Sequence, residues 1–146
     1  MTRRVRWLTD LVRLEIVLWD HVDARLKQEH DLPLSSFETL LVLADGTPRR
    51  IGDLAGELRI TIGGASKLAE RVRAAGLIER TADPGDRRAS LVALTPLGRE
   101  RLTTATATYD AAVAEKLDGV LNEAEQRSMH DMIRRLLTDR AQRSHS

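Results

Sequence analysis

Apolar residues recur at helical spacing along most of the chain, and the breaks in that spacing mark out six helices and one hairpin. Leu8, Leu11, Val12, Trp19, Val22 and Leu26 form one stripe of a first helix over residues 5–30. Leu14, Ile16, Val17 and Leu18 widen the stripe until little of the middle of this helix is polar. A helix that is apolar on more than one side needs cover on more than one side. The cover comes either from a second subunit or, if this is the central helix of a monomer, from the rest of the chain. The second subunit is the better source, because so little other chain is available.

Leu32-Pro33-Leu34 breaks the pattern, since the residue before a proline is driven out of the helical region. Ser35 is expected to open the second helix, with Glu38 completing a capping box. Phe37, Leu40, Leu41 and Ala44 are its expected buried face, and Asp45-Gly46-Thr47-Pro48 ends it. Ile51, Leu54, Ala55 and Leu58 predict a short one-sided helix. Arg59-Ile60-Thr61 is the turn after it, with Thr61 the N-cap of the next helix. In that helix Ala65, Leu68, Ala69 and Val72 face inward, while Gly63, Ser66, Lys67, Glu70, Arg71 and Ala74 face outward. The small residues Ala65 and Ala69 let it lie close to its predecessor.

Leu77 to Thr81 and Ser90 to Leu94 are strand-like runs flanking the turn-forming Asp83-Pro84-Gly85-Asp86. Thr95-Pro96 opens a helix with a threonine cap and proline at its first position. Leu102, Ala105, Tyr109, Ala112 and Val113 are its inward residues. Asn122 and Glu125 cap a last helix with the stripe Met129, Met132, Ile133 and Leu136, and a frayed tail is expected over residues 141–146. The fold class predicted is mainly α with a small β-hairpin.

Composition narrows the function. The hydrophobic fraction of 42% supplies a core with few aromatics, 3%, and the charged fraction of 31% exceeds the usual quarter. No apolar run approaches a membrane span, and Asp10, Arg13 and Glu15 interrupt any leader-like segment, so a cytoplasmic protein is expected. The absence of cysteine removes disulfides and thiolate metal sites. Neither a nucleophile elbow, a glycine-rich nucleotide loop nor a paired-carboxylate site is present, so an enzyme is not expected, and no cofactor or metal is implied. The net charge is only +1, yet the segment 49–101 holds eleven basic and seven acidic residues. Positive charge is thus concentrated over the two short helices and the hairpin, a shape that fits duplex DNA.

The candidate contact residues follow from that shape. Lys67 and Arg71 lie one turn apart and can donate to guanine or to phosphate. Gly63 and Gly64 each cost about 1 kcal/mol relative to alanine inside a helix. At its first turn they either let backbone N–H groups approach a phosphate or serve close packing. Thr61 and Ser66 complete the set on this helix. On the hairpin Arg87 and Arg88 are candidates for the minor groove or the backbone. Trp19 and His21 are candidates for a small aromatic ligand, the alternative being that Trp19 packs at an interface.

At these residues the chain resembles the MarR family of winged helix-turn-helix regulators. Asp83-Pro84-Gly85-Asp86-Arg87-Arg88 followed by Leu94-Thr95-Pro96-Leu97-Gly98 is similar to that family's wing signature. Leu54-Ala55 to Leu58, then Ser66-Lys67-Leu68 to Arg71, and Gly76-Leu77-Ile78 with Arg80 form a second match. The resemblance implies one domain over 1–146, with a winged helix-turn-helix at 34–95 and dimerisation helices at 5–30 and 96–140. It implies a homodimeric repressor that binds double-stranded DNA and is released by a small ligand; two-fold symmetry then predicts an inverted-repeat operator, and the aromatic at Trp19 a small aromatic or phenolic effector. It implies that Arg88 is the main wing contact, with Asp86 orienting it through a carboxylate–guanidinium pair; alternatively Asp86 only satisfies a tight turn. The chain departs from the family at Ile62-Gly63-Gly64-Ala65, where Ser and Thr are common, so fewer side chains are available there to read bases. The competing reading is a winged helix that binds protein rather than DNA.

Overall fold

The computed structural model describes residues 1–143, with no side-chain detail for 140–143. Among the described residues six helices run in the order α1 (Arg3–His30), α2 (Leu34–Val42), α3 (Ile51–Leu58), α4 (Ile62–Ala74), α5 (Pro96–Leu117) and α6 (Glu123–Arg143). Strands β1 (Arg49–Arg50), β2 (Ile78–Asp83) and β3 (Asp86–Leu94) form one antiparallel sheet in the order β1-β3-β2. The two-residue strand β1 pairs Arg49 with Val92 and Arg50 with Leu91, and it carries no sequence signal of its own. Helix α6 continues to Arg143, past the point where fraying was expected; residues 144–146 lie outside the described residues. Among the described residues no helix is long and apolar enough to cross a membrane.

Local capping sets most of the boundaries. The Thr2 hydroxyl accepts from the Val5 N–H, Thr61 from Gly64, and Thr95 from Gly98, so three helices begin on a threonine cap. Asn122 and Glu125 form a reciprocal box at 2.8 and 3.0 Å. Helix α2 departs from expectation, because Ser35 lies inside it and Pro33 is the cap residue, without a side-chain bond. The cap comes from α1 instead: the Asp23 carboxylate accepts from the Leu34 N–H at 2.9 Å. Burial opposes ionisation of Asp23, but this N–H and the Lys27 ammonium outweigh it and hold the carboxyl below its ordinary range.

The core sits where α2, α3, α4, the sheet and the second half of α1 meet α5. Leu26, Leu40, Leu43, Leu54, Val72 and Ile78 are fully buried there, and Phe37 stacks on Tyr109 with centroids 5.0 Å apart. Leu41 was expected inside and is 49% exposed. Each residue turns a helix by about 100°, and with Leu40 and Leu43 centred on the core Leu41 swings out of it. Glu38 is half-buried beside this cluster, and burial pushes its carboxyl above the ordinary range. An acid raised in the folded state favours folding below its unfolded pKa and loses that contribution as pH rises through the folded value. Glu38→Gln is therefore expected to raise the melting temperature at neutral pH, with the gain shrinking in acid below the carboxylate range. An equal gain at both pH values would contradict this burial effect.

In α1 only Val22 and Leu26 are buried. Its first half leaves Val5, Leu8, Val12, Ile16 and Val17 exposed, and α6 leaves Met132, Ile133, Leu136 and Leu137 exposed. The other described residues leave this apolar stripe of α1 uncovered.

Candidate nucleic-acid interface

Helix α3 ends on Arg59, which takes the left-handed conformation at φ 56°, and α4 starts three residues later. The turn brings Leu54 and Ala55 of α3 against Ala65, Leu68, Ala69 and Val72 of α4, all buried. Packing of that face turns the other side of α4 outward. Gly63, Lys67 and Arg71 are exposed there, and Ser66 is half-exposed. Lys67 and Arg71 make no ion pair among the described residues, whereas Arg73 is bound to Glu70 one turn away.

The two glycines separate in role. The Gly64 N–H donates to the Thr61 hydroxyl at 3.0 Å, and a Cβ at Gly64 would lie 3.1 Å from that oxygen. Gly64 thus belongs to the cap. A Cβ at Gly63 would meet nothing within 4 Å, so packing does not require glycine there. Its N–H, at the second helical position, has no partner within the helix and points outward at the positive helix end. Gly63→Ala is expected to stabilise the fold by up to about 1 kcal/mol through helix propensity. Where this helix end meets a phosphate, the added methyl group would also weaken binding by standing between the anion and the backbone. A variant that is more stable and binds equally well would remove Gly63 from the interface.

The hairpin β2–β3 turns over Pro84-Gly85. Asp83 and Asp86 pair across the tip, with a register irregularity between Ala82 and Asp83. The Asp83 Oδ1 accepts from the Gly85 N–H at 2.9 Å. Its Oδ2 receives Arg50 Nε and Nη2 at 2.9 and 2.6 Å. The Gly85 N–H, then the Arg50 guanidinium, hold this carboxyl below its ordinary value of 3.8. The Asp83 side chain is only 13% exposed, and it ties the wing to the strand that leads into α3. Arg50 was not among the expected functional residues. The pair spans 33 positions, and no local pattern marks it.

Asp86 does not hold the Arg88 guanidinium. Its Oδ1 accepts from the Arg88 backbone N–H at 3.0 Å, which is the turn-satisfying alternative. Arg87 and Arg88 are both exposed, without ion pairs among the described residues. As neighbours on a strand they point to opposite faces of the ribbon, so they meet different parts of a ligand.

Trp19 and His21 do not share a site. Trp19 lines an open cavity of about 750 Å³ between α1, α5 and α6, together with Leu18, Tyr109, Val113, His130 and Ile133. His21 turns toward α5, where its Nε2 lies 2.9 Å from Glu115 Oε2, and Arg25 binds the same carboxylate. The residues of α5 and α6 that complete the cavity, Tyr109, Val113 and Ile133 among them, were expected to face inward but not to join Trp19, because nothing local relates them to it.

A turn-linked helix pair backed by a basic hairpin defines a winged helix-turn-helix. Residues 30–89 match the MarR family model. The HTH-type transcriptional regulator YxaD of Bacillus subtilis is 34% identical over 95 residues, which cover 65% of this chain and 64% of that protein, so the match spans just under two thirds of the relative. The structure is similar to that of Sco3205, a MarR family transcriptional regulator from Streptomyces coelicolor solved in complex with DNA. That likeness has TM-score 0.81 and 24% identity over 94% of this chain and 88% of that one. A MarR-family regulator from Rhodococcus sp. RHA1 gives TM-score 0.82 and 24% identity over 93% and 95% of the two chains. The match to the MarR family thus lies over residues 30–89, and the chain as a whole has the fold of the MarR-family regulators to which it is similar.

Proposed function

We propose that this protein is a sequence-specific regulator of transcription, a non-enzymatic cytoplasmic homodimer that represses by binding an inverted-repeat operator and is released by a small aromatic or phenolic ligand. The observation that carries the reading is that Lys67 and Arg71 on α4 and Arg87 and Arg88 on the wing are exposed and make no ion pair among the described residues. They sit on a helix and a ribbon whose shapes suit adjacent grooves of a duplex. The similar structure of Sco3205, solved in complex with DNA, supports DNA as the ligand. Phosphate contacts release counterions, so affinity should fall steeply with salt. A gel shift on the DNA flanking the protein's own gene, at physiological salt, tests this reading. A retarded complex that weakens with salt supports it; no complex there would favour the protein-binding module.

The exposed apolar residues of α1 and α6 support the dimer, since patches of this kind mark association surfaces. Leu136 is 62% exposed. Leu136→Glu would be nearly neutral in an isolated chain but would bury a charge in a dimer interface. Light scattering is expected to show the variant dissociating at concentrations where the wild type is dimeric, with operator binding lost in parallel. An unchanged dimer would place the interface elsewhere. The cavity beside Trp19 is the proposed effector site, because it is largely apolar, with Glu15, Asp110 and His130 as polar groups, and bridges the helices of this surface to the core.

A further inference from the structure

The first turn of α4 offers a groove mainly hydrocarbon. Ile62 is 67% exposed and Ile60, in the preceding turn, is 41% exposed, although isoleucine is among the residues most often buried. The next residue, Gly63, has no side chain, and the space beside its Cα is empty. Polar reading from this end of the helix falls to Ser66 and Lys67, one turn further on. Residues at the N-terminus of the second helix are the ones that reach base edges in this motif. In the major groove the one apolar group on a base edge is the C5-methyl of thymine.

We propose that Ile62 is a specificity-determining residue that packs on a thymine C5-methyl in each half-site. The inference rests on the DNA-binding function proposed above. Charge around the patch favours DNA over a protein partner as the occupant: Lys67 and Arg71 stand one turn apart on the exposed face of the same helix without ion pairs among the described residues, available to phosphates or base edges. The bare Gly63 lets the helix end approach the base edges closely enough for the isoleucine methyl groups to touch a methyl group rather than water.

Deoxyuridine differs from thymidine by that methyl group alone, so it provides the test. Each thymine of a bound operator is replaced by deoxyuridine in turn, and affinity is measured for the wild type and for Ile62→Ala. The wild type is expected to lose about fourfold in affinity per half-site at one symmetry-related position, the factor for burying about one methyl group. Ile62→Ala is expected to bind the two operators equally. Since Ile62 is exposed, this variant should melt as the wild type does. The inference is overturned if every thymine can be replaced without loss, or if Ile62→Ala keeps the wild-type ratio. Failure of the wild type to bind any duplex would overturn the DNA-binding reading itself, and this inference with it.

Discussion

Gly98→Ala is expected to destabilise the fold by about 3 kcal/mol or more, at the upper end of overpacking costs. A Cβ at this position would lie 1.9 Å from the Leu77 carbonyl oxygen and 2.9 Å from its carbon. Neither side of the clash can rotate away. The Leu77 oxygen accepts from the Thr95 N–H at 3.1 Å, and the Gly98 N–H donates to the Thr95 hydroxyl at 3.0 Å. That hydroxyl in turn donates to the Gly76 carbonyl at 2.6 Å. The first turn of α5 is thus bolted to the junction between α4 and β2, and a methyl group would pry it loose. Urea unfolding of the variant measures the effect. A loss below about 1 kcal/mol, small on the scale of overpacking, would show that α5 can slide without cost.

Arg88→Ala is expected to weaken operator binding at least tenfold while leaving the melting temperature and the dimer unchanged. The guanidinium is exposed and makes no ion pair among the described residues, so the folded chain loses no bond when it is removed. A hydrogen bond to a charged group contributes about 1.5–3 kcal/mol, and 1.4 kcal/mol is tenfold in affinity. A symmetric dimer carries two wings, which makes tenfold a floor. The Asp86 bond to the Arg88 backbone N–H fixes where the side chain leaves the ribbon. Arg87→Ala probes the opposite ribbon face, and a smaller loss is expected there. Titration at one fixed salt concentration decides the matter. Binding within about twofold of wild type would remove Arg88 from the interface, since each lost phosphate or base contact should cost more.

Features that depend on neighbours in sequence were legible in advance. The threonine caps at Thr61 and Thr95, the Asn122–Glu125 box, the turn at Arg59 and the hairpin tip each rest on residues within a few positions of one another. Features that depend on distant partners were not. The cap of α2 comes from Asp23, eleven positions away, and displaced the expected Ser35 cap. The tether of the wing by Arg50 spans 33 positions, and the partner of His21 lies 94 positions on. The same limit explains the candidate ligand site. Trp19 and His21 are close in sequence, but two residues turn a helix by about 200°, so one lines the cavity and the other reaches Glu115 outside it. The outward set on α4 was legible because amphipathic spacing alone divides inside from outside. The division of labour between Gly63 and Gly64 was not, since it depends on what a Cβ would meet in space.

Hydroxyl-radical footprinting of the protein on the duplex flanking its own gene tests the central claim most directly. Two copies of α4 related by a two-fold axis should protect two patches of backbone centred about one helical turn, roughly 10 bp, apart, with the inverted-repeat symmetry of the dimer. The wings should add protection on the outer flanks that disappears in Arg88→Ala. A single asymmetric patch, or no protection at physiological salt, would contradict the account.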